Sequence, residues 1–467
     1  NMKSRMPPAS HRKVLHLLKS RMSGEPPMNN YHPTLEGFYY QSLSKSGEKM
    51  LIREDNPNKI HLAVKKLMLV NTIRSIGQGM MVVALALYLD AIGWSGIKIG
   101  TVLATSGLLG VFLAPFIGIY SDRVGRKPFI LFSELLTAGC SLIGIMTTSP
   151  VLLFISITFS GFGKADAGSA SPFAPAEQAW LAAYIKPSDR GKMYSLNNAL
   201  SFFGMAAGAV LVGTMSAGST ASGVSSYQQA FYFTFALSLV TASIILTTRG
   251  ETQVKEKQIP DKHFSIEAKK MIKEENTAII KLAGINVLNG IAIGLTGPMM
   301  AYWFSVKFGV SSAQIGSTLA LTFFATGMTS IFHSRISHKH GTVQSIVMVR
   351  YIACLLLLLM PLLSSYAIVS IIYILRTALN RGSQGAQQAL SVSLTRGQRS
   401  GFASSINLLS MRLPMSIGPY IAGYLFGLGA LAVPFYIAAG LQGSFAYFYG
   451  KIFRAYDTKM KLNPSSG

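Results

Sequence analysis

The chain has 467 residues, 50% of them hydrophobic and 13% charged, where soluble domains carry about 25% charged residues. With a mean hydropathy of +0.38, this excludes an ordinary soluble enzyme, and two cysteines, Cys140 and Cys354, exclude a disulfide scaffold. The net charge of +24 suggests nucleic-acid binding only until its placement along the chain is considered.

Residues 1–66 are polar and basic, broken by Pro7, Pro8, Pro26, Pro27 and Pro33. They read as a loosely ordered tail without the clean apolar core of a cleavable leader. From Leu67 onward, apolar runs of about 20 residues follow one another, each long enough to cross a bilayer. They lie near 67–90, 97–117, 128–147, 151–172, 193–215, 229–248, 278–303, 312–332, 343–362, 366–385, 402–427 and 431–453. Runs of this length predict helices, because barrel strands alternate and last about ten residues. The fold class is therefore an all-α polytopic membrane protein with twelve transmembrane helices. The predicted division is a tail (1–66), a first six-helix bundle (67–248), a linker (249–277), a second bundle (278–453) and a terminal tail (454–467).

Lys and Arg crowd one set of loops: Arg123, Arg126 and Lys127; Lys186, Arg190 and Lys192; Arg335 and Lys339; Arg396 and Arg399; and the 249–277 linker. The opposite loops hold only Lys98 and Lys307. This asymmetry predicts cytoplasmic basic loops and termini in a multi-pass protein of the plasma (inner) membrane. The excess charge then reports topology and an attraction to anionic lipid rather than a nucleic-acid partner.

Between the second and third spans stands Gly118-Ile-Tyr-Ser-Asp122-Arg123-Val-Gly125-Arg126-Lys127-Pro128. Its glycines permit a turn, its acid suits a helix terminus and its cations hold the loop at one membrane face. The stretch resembles the loop signature of the major facilitator superfamily, Gly-x-x-x-Asp-Arg-x-Gly-Arg-Lys, with every defining position present. A repeat offset by about 210 residues accompanies it. Gly93-Trp94-Ser95 with Ile99-Gly100 recurs as Gly309-Val310-Ser311 with Ile315-Gly316. Ala176-Glu177-Gln178-Ala179 recurs as Ala386-Gln387-Gln388-Ala389, and Gly208 with Gly213 recurs as Gly418 with Gly423. In the second half His338 replaces the acid at Asp122. Two pseudo-symmetric six-helix bundles follow, as in parallel-repeat transporters. The resemblance covers roughly residues 67–453. It implies alternating access around a central cavity lined by spans one, four, seven and ten, with Asp122 and Arg126 in a conformational lock against the neighbouring half.

Charges inside apolar runs are the functional candidates, since a buried ion costs several kcal/mol unless paired or wetted. Candidates for the substrate and proton-coupling cavity are Arg74 and Gln78 in span one, Lys164 and Asp166 in span four, Asn289 in span seven, Arg376 in span ten and Arg412 in span eleven. Under the repeat Asp166 aligns with Arg376, which predicts a breakable or permanent ion pair. Gly118, Asp122, Arg123, Gly125, Arg126 and Glu177 form the candidate gating loop, with Glu177 expected to neutralise Arg123 or Arg126. Glu134 and its repeat mate Arg350 read as structural charges on peripheral helices. Spans five and eleven carry small residues that permit close helix approach. Drug-proton antiporters of the family place a proline near the end of the glycine motif in span five, where this chain has Ala209.

No nucleophile–base pair or phosphate-binding glycine loop occurs, so neither an enzyme nor an ATP-driven pump is expected, and no metal or other cofactor. The expected function is secondary transport of a small organic solute, coupled to protons and directed outward, by a monomer. Transport of an organic anion or metabolite is the second reading. A receptor or scaffold that no longer moves solute is a third, encouraged only by the long tail.

Overall fold

The computed structural model describes residues 61–163, 172–185, 190–218, 224–248, 266–340, 342–384, 387 and 400–462. Among these residues it is helical throughout, without a strand. The helices are α1 (Leu62–Ala91), α2 (Gly96–Val124), α3 (Arg126–Met146), α4 (Pro150–Ser160), α5 (Ala174–Ala183), α6 (Arg190–Gly218), α7 (Val224–Leu246), α8 (Ile266–Thr296), α9 (Met300–Phe308), α10 (Ser312–His340), α11 (Thr342–Leu359, with a 3₁₀ turn at Met360–Leu362), α12 (Tyr366–Gly382), α13 (Ser400–Gly427) and α14 (Val433–Leu462).

Among the described residues these fourteen helices make twelve rods. The fourth and seventh spans are each broken, which the hydropathy pattern did not resolve. The run read as 151–172 ends its first helix at Ser160, where Gly161 takes a left-handed conformation (φ +73°), and the next described helix is Ala174–Ala183. The seventh span breaks at Thr296, just before Gly297-Pro298, because a proline cannot donate to the helical ladder. Helix α8 also begins at Ile266, inside the stretch read as linker. Among the described residues, seven helices (α1, α2, α3, α6, α7, α8 and α11) are individually long and apolar enough to cross a membrane. Apolar side chains such as Phe112, Phe116, Met146 and Leu355 are exposed on these helices, as expected where lipid rather than water surrounds the bundle.

The repeat visible in the sequence is also a repeat of packing. Helix α1 packs on α6 and α7, and its counterpart α8 packs on α13 and α14. Likewise α3 lies on α7 as α11 lies on α14. Between the halves, α2 crosses α13 and α6 crosses α10, again as mates. Small residues let these crossings close. A Cβ built on Gly316 (α10) would stand 2.8 Å from the Ala209 carbonyl and 3.2 Å from the Gly213 Cα of α6. One built on Gly100 (α2) would collide with the Pro419 carbonyl and stand 3.2 Å from the Gly423 Cα of α13. The two contacts are the same contact made twice, with Ala209 standing where its mate is Pro419.

The turn between α2 and α3 is Gly125, at φ +109°, which closes α2 through a hydrogen bond to the Ser121 carbonyl. A residue with a Cβ rarely reaches that conformation. Lys127 then donates to the carbonyls of Leu246 and Thr248 at 2.8 Å each, capping the last turn of α7.

Candidate functional site

Both inter-half crossings converge away from the basic loops. At that end one core joins the two halves: α1 is buried at every position from Met80 to Leu89, and it shares a cluster with Ile99, Met205, Trp303, Ile315 and Phe426. At the basic end the halves keep separate cores among the described residues. One gathers Val64, Leu67, Ile130, Trp180 and Ile245, and the other Leu282, Ile285, Ile346, Phe445 and Phe453. Among the described residues, one core thus bridges the halves at one end and two separate cores stand at the other.

Each half holds a buried polar network at matching positions. In the first half Arg74 (α1) places its Nε 3.0 Å from Glu134 Oε1 (α3) and its Nη1 2.7 Å from Glu177 Oε2 (α5). Glu134 is 1% exposed and accepts from Thr241 Oγ1 of α7 at 2.7 Å. Four helices are tied together by one cation and two carboxylates. The expected partnership of Glu177 with the signature loop is corrected here: its helix turns the carboxylate inward to Arg74. Glu134 is likewise bound to the first span, not left at the periphery.

In the second half the mate of Glu134 is Arg350 (α11), which is wholly buried. Its guanidinium donates to Asn289 Oδ1 (α8) at 3.0 Å, to Asn380 Oδ1 (α12) and to Gln387 Oε1 at 3.2 Å, and lies 5.2 Å from the Phe445 ring centre (α14). Gln387, the mate of Glu177, passes a hydrogen bond on to Asn286, and Asn286 bonds Asn407 as its own mate Asn71 bonds Ser201. The geometry is duplicated while the charges are exchanged. Asn289 was expected to line the cavity, and the structure makes it instead a buried ligand of Arg350.

A signal overlooked in the sequence explains the difference. No Asp or Glu stands anywhere between Glu275 and Asp457, a stretch containing Arg350, Arg376, Arg381 and Arg412. Arginines buried in the second half have no carboxylate of that half to face, so amide carbonyls serve Arg350.

Helix α12 reverses the pattern of a soluble helix. Ser370, Tyr373, Arg376, Thr377 and Asn380 are buried along one face, and Ile368, Ile371 and Leu375 are exposed on the other. A polar interior face with an apolar exterior is what a helix bordering a polar path within a membrane requires. Arg376 donates from Nη2 to Thr296 Oγ1 of α8 at 3.3 Å, and its Nε has no partner among the described residues. Arg381, five residues further, sets its guanidinium 5.8 Å from the Phe202 ring of α6 and so reaches across to the first half.

The remaining candidates fall as follows. Gln78 is half-buried one turn beyond Arg74, and Arg412 is half-buried on α13. Lys164 and Asp166 lie outside the described residues, and so does the predicted pairing of Asp166 with Arg376. In the signature loop, exposed Asp122 receives bonds from Arg126 Nε (3.2 Å) and Nη2 (2.9 Å). Arg126 Nη1 also donates to the Ala179 carbonyl of α5 at 2.8 Å. This straps the start of α3 to α5 within one half. Gly118 is half-buried beside Pro175, and Arg123 is exposed.

Comparison with known proteins agrees with this geometry. The chain is 21% identical over 424 residues to an uncharacterized membrane protein of Saccharomyces cerevisiae, YJR124C, covering 83% of this chain and 93% of the yeast one. It is 32% identical over 109 residues to the multidrug resistance protein MdtH of Edwardsiella ictaluri, which is 23% of this chain and 26% of that protein. The match thus spans about a quarter of the MdtH length. Among solved structures, the nucleoside transporter NupG superposes on 84% of the chain with a TM-score of 0.61 at 14% identity. A bacterial homolog of the human lysosomal transporter Spinster, in an inward-facing and unoccupied conformation, superposes on 85% with a TM-score of 0.57 at 15% identity. The Major Facilitator Superfamily profile matches residues 67–281 and 282–465, the two halves whose packing and buried networks repeat, so the chain belongs to the major facilitator superfamily.

Proposed function

We propose that this chain moves a small organic solute across the membrane by alternating access, with protons as the driving ion and export as the direction. The observation that carries the reading is one-sided packing: among the described residues a single core joins the halves at one end, and each half keeps its own core at the basic end. A scaffold would have no use for interfaces built from bare glycine backbone at matched crossings, whereas helices that must part and rejoin do. By the positive-inside rule the basic end is cytoplasmic, so the conformation is inward-open. The 109-residue likeness to MdtH supports export.

Proton coupling needs a carboxylate whose surroundings differ between the two states. Asp166 in the fourth span and the Glu134–Glu177 pair around Arg74 are the candidates. The test is flux in proteoliposomes, followed with an internal pH dye and a panel of labelled solutes under an imposed proton gradient. Asp166→Asn is expected to abolish gradient-driven movement while leaving counterflow exchange intact. Unchanged driven transport would remove Asp166 from the coupling step, and a solute-independent pH trace across the panel would refute proton coupling itself.

A further inference from the structure

The two buried arginines of the second half differ in a way that bears on the substrate. Arg350 is built in: three side-chain amide oxygens and an aromatic face surround it. Arg376 is 5% exposed, on the polar face of α12, with one 3.3 Å bond to a threonine hydroxyl and an Nε that bonds nothing described. Thr296 itself donates to the Ala292 carbonyl at 3.0 Å, so it serves Arg376 as an acceptor only. A guanidinium offers five N–H donors in a planar fork matched to carboxylate or phosphate. An ion so placed is costly without a counter-charge, and no acid of its own half exists between Glu275 and Asp457.

We propose that the transported solute is an organic anion, and that Arg376 is its principal binding residue, pairing bidentately with a carboxylate or phosphate group. The inference rests on the transport reading above and deepens it. Arg381, near enough to Phe202 of the first half to stack on it, adds a second positive charge about 7.5 Å along α12 at 1.5 Å per residue. Tyr373 lies one turn from Arg376, packed edge-on against Phe304 at 5.5 Å, and gives the site a firm wall. The chemistry favours a compact anion with an apolar or aromatic body over a lipophilic cation, which Arg376 and Arg381 would repel.

The test uses the full chain purified in detergent, with thermal unfolding followed against single probes: benzoate, succinate and a sugar phosphate as anions, tetraphenylphosphonium as cation, uridine as neutral solute. At least one anion is expected to raise the melting temperature in a saturable way, and Arg376→Gln is expected to weaken its apparent affinity tenfold or more, with Arg376→Lys intermediate. An arginine held for a ligand rather than for the fold should leave the basal melting temperature of Arg376→Gln unchanged or higher. Stabilisation by the cation or by uridine alone would overturn the inference and leave the transport reading standing, as would an anion response that survives Arg376→Gln. Absence of any anion response would overturn it too, while proton flux in the proteoliposomes would still report on transport. A fall in basal melting temperature that Asp166→Asn restores would mark a permanent internal pair, and that also overturns it.

Discussion

The seal opposite the basic loops includes two matched contacts, and adding bulk to either should push the protein toward its other state. Gly316 has 2.8 Å to the Ala209 carbonyl and 3.2 Å to the Gly213 Cα for a Cβ, and Gly100 has less against Pro419. Carbon atoms in good contact are about 3.5–4.0 Å apart, so Gly100→Leu or Gly316→Leu forces the crossing helices apart by several tenths of an ångström before the rest of the side chain is placed. Overfilling a packed interface costs about 1–3 kcal/mol. Only the sealed state bears that cost, so the sealed-to-open ratio should fall about 5- to 150-fold, at about 1.4 kcal/mol per tenfold. The assay is maleimide labelling of Ile315→Cys, wholly buried in the joint core near that end, in a background lacking Cys140 and Cys354. Labelling should accelerate in proportion, and Gly440→Leu, whose site faces open space, should not change it. Equal labelling in a well-folded Gly100→Leu protein would refute the idea that this end opens at all.

Two further outcomes concern the buried networks. Arg74→Met strands Glu134 and Glu177 together without a cation and should destabilise by about 3–5 kcal/mol; adding Glu134→Gln and Glu177→Gln should recover most of the loss, as read by thermal unfolding in detergent. Arg350→Lys keeps the charge but cannot span Asn289, Asn380 and Gln387 with one ammonium, and should cost about 1–3 kcal/mol for the amide oxygens it strands; an unchanged melting curve would show that the cage is not needed.

Much of this was legible because it is written locally. The loop at Gly118–Pro128 declares itself by spacing, and the duplication by small residues, since glycine at Gly100 and Gly316 is demanded by a backbone contact that leaves no latitude. The partners of Arg74 were not legible: Glu134 and Glu177 stand 60 and 103 positions away, and hydropathy cannot report which way a carboxylate turns when the helix carrying it follows a break. That break was itself hidden, since Gly161 to Gly163 sit in an apolar run that reads as continuous. The missing acids of the second half were on view from the start, but an absence is noticed only when buried arginines give it meaning.

That absence also constrains how coupling works. The two halves share one architecture, down to Asn71 and Asn286 holding matching bonds, yet in the membrane only the first half has carboxylates that can take up or release a proton, and the second half's buried cations cannot deprotonate at any working pH. If protons drive transport while Arg376 binds the solute, ion and substrate occupy opposite halves and do not compete for one group. Their coupling must then pass through the contacts where the halves meet, among them the Gly100–Pro419 and Gly316–Ala209 crossings, Phe203 against Phe324, and Arg381 over Phe202. A variant such as Gly100→Leu should therefore loosen the ratio of protons to solute while leaving the groups that bind each untouched, so that apparent affinities move only with the shift in population, a separation that a single shared site would forbid.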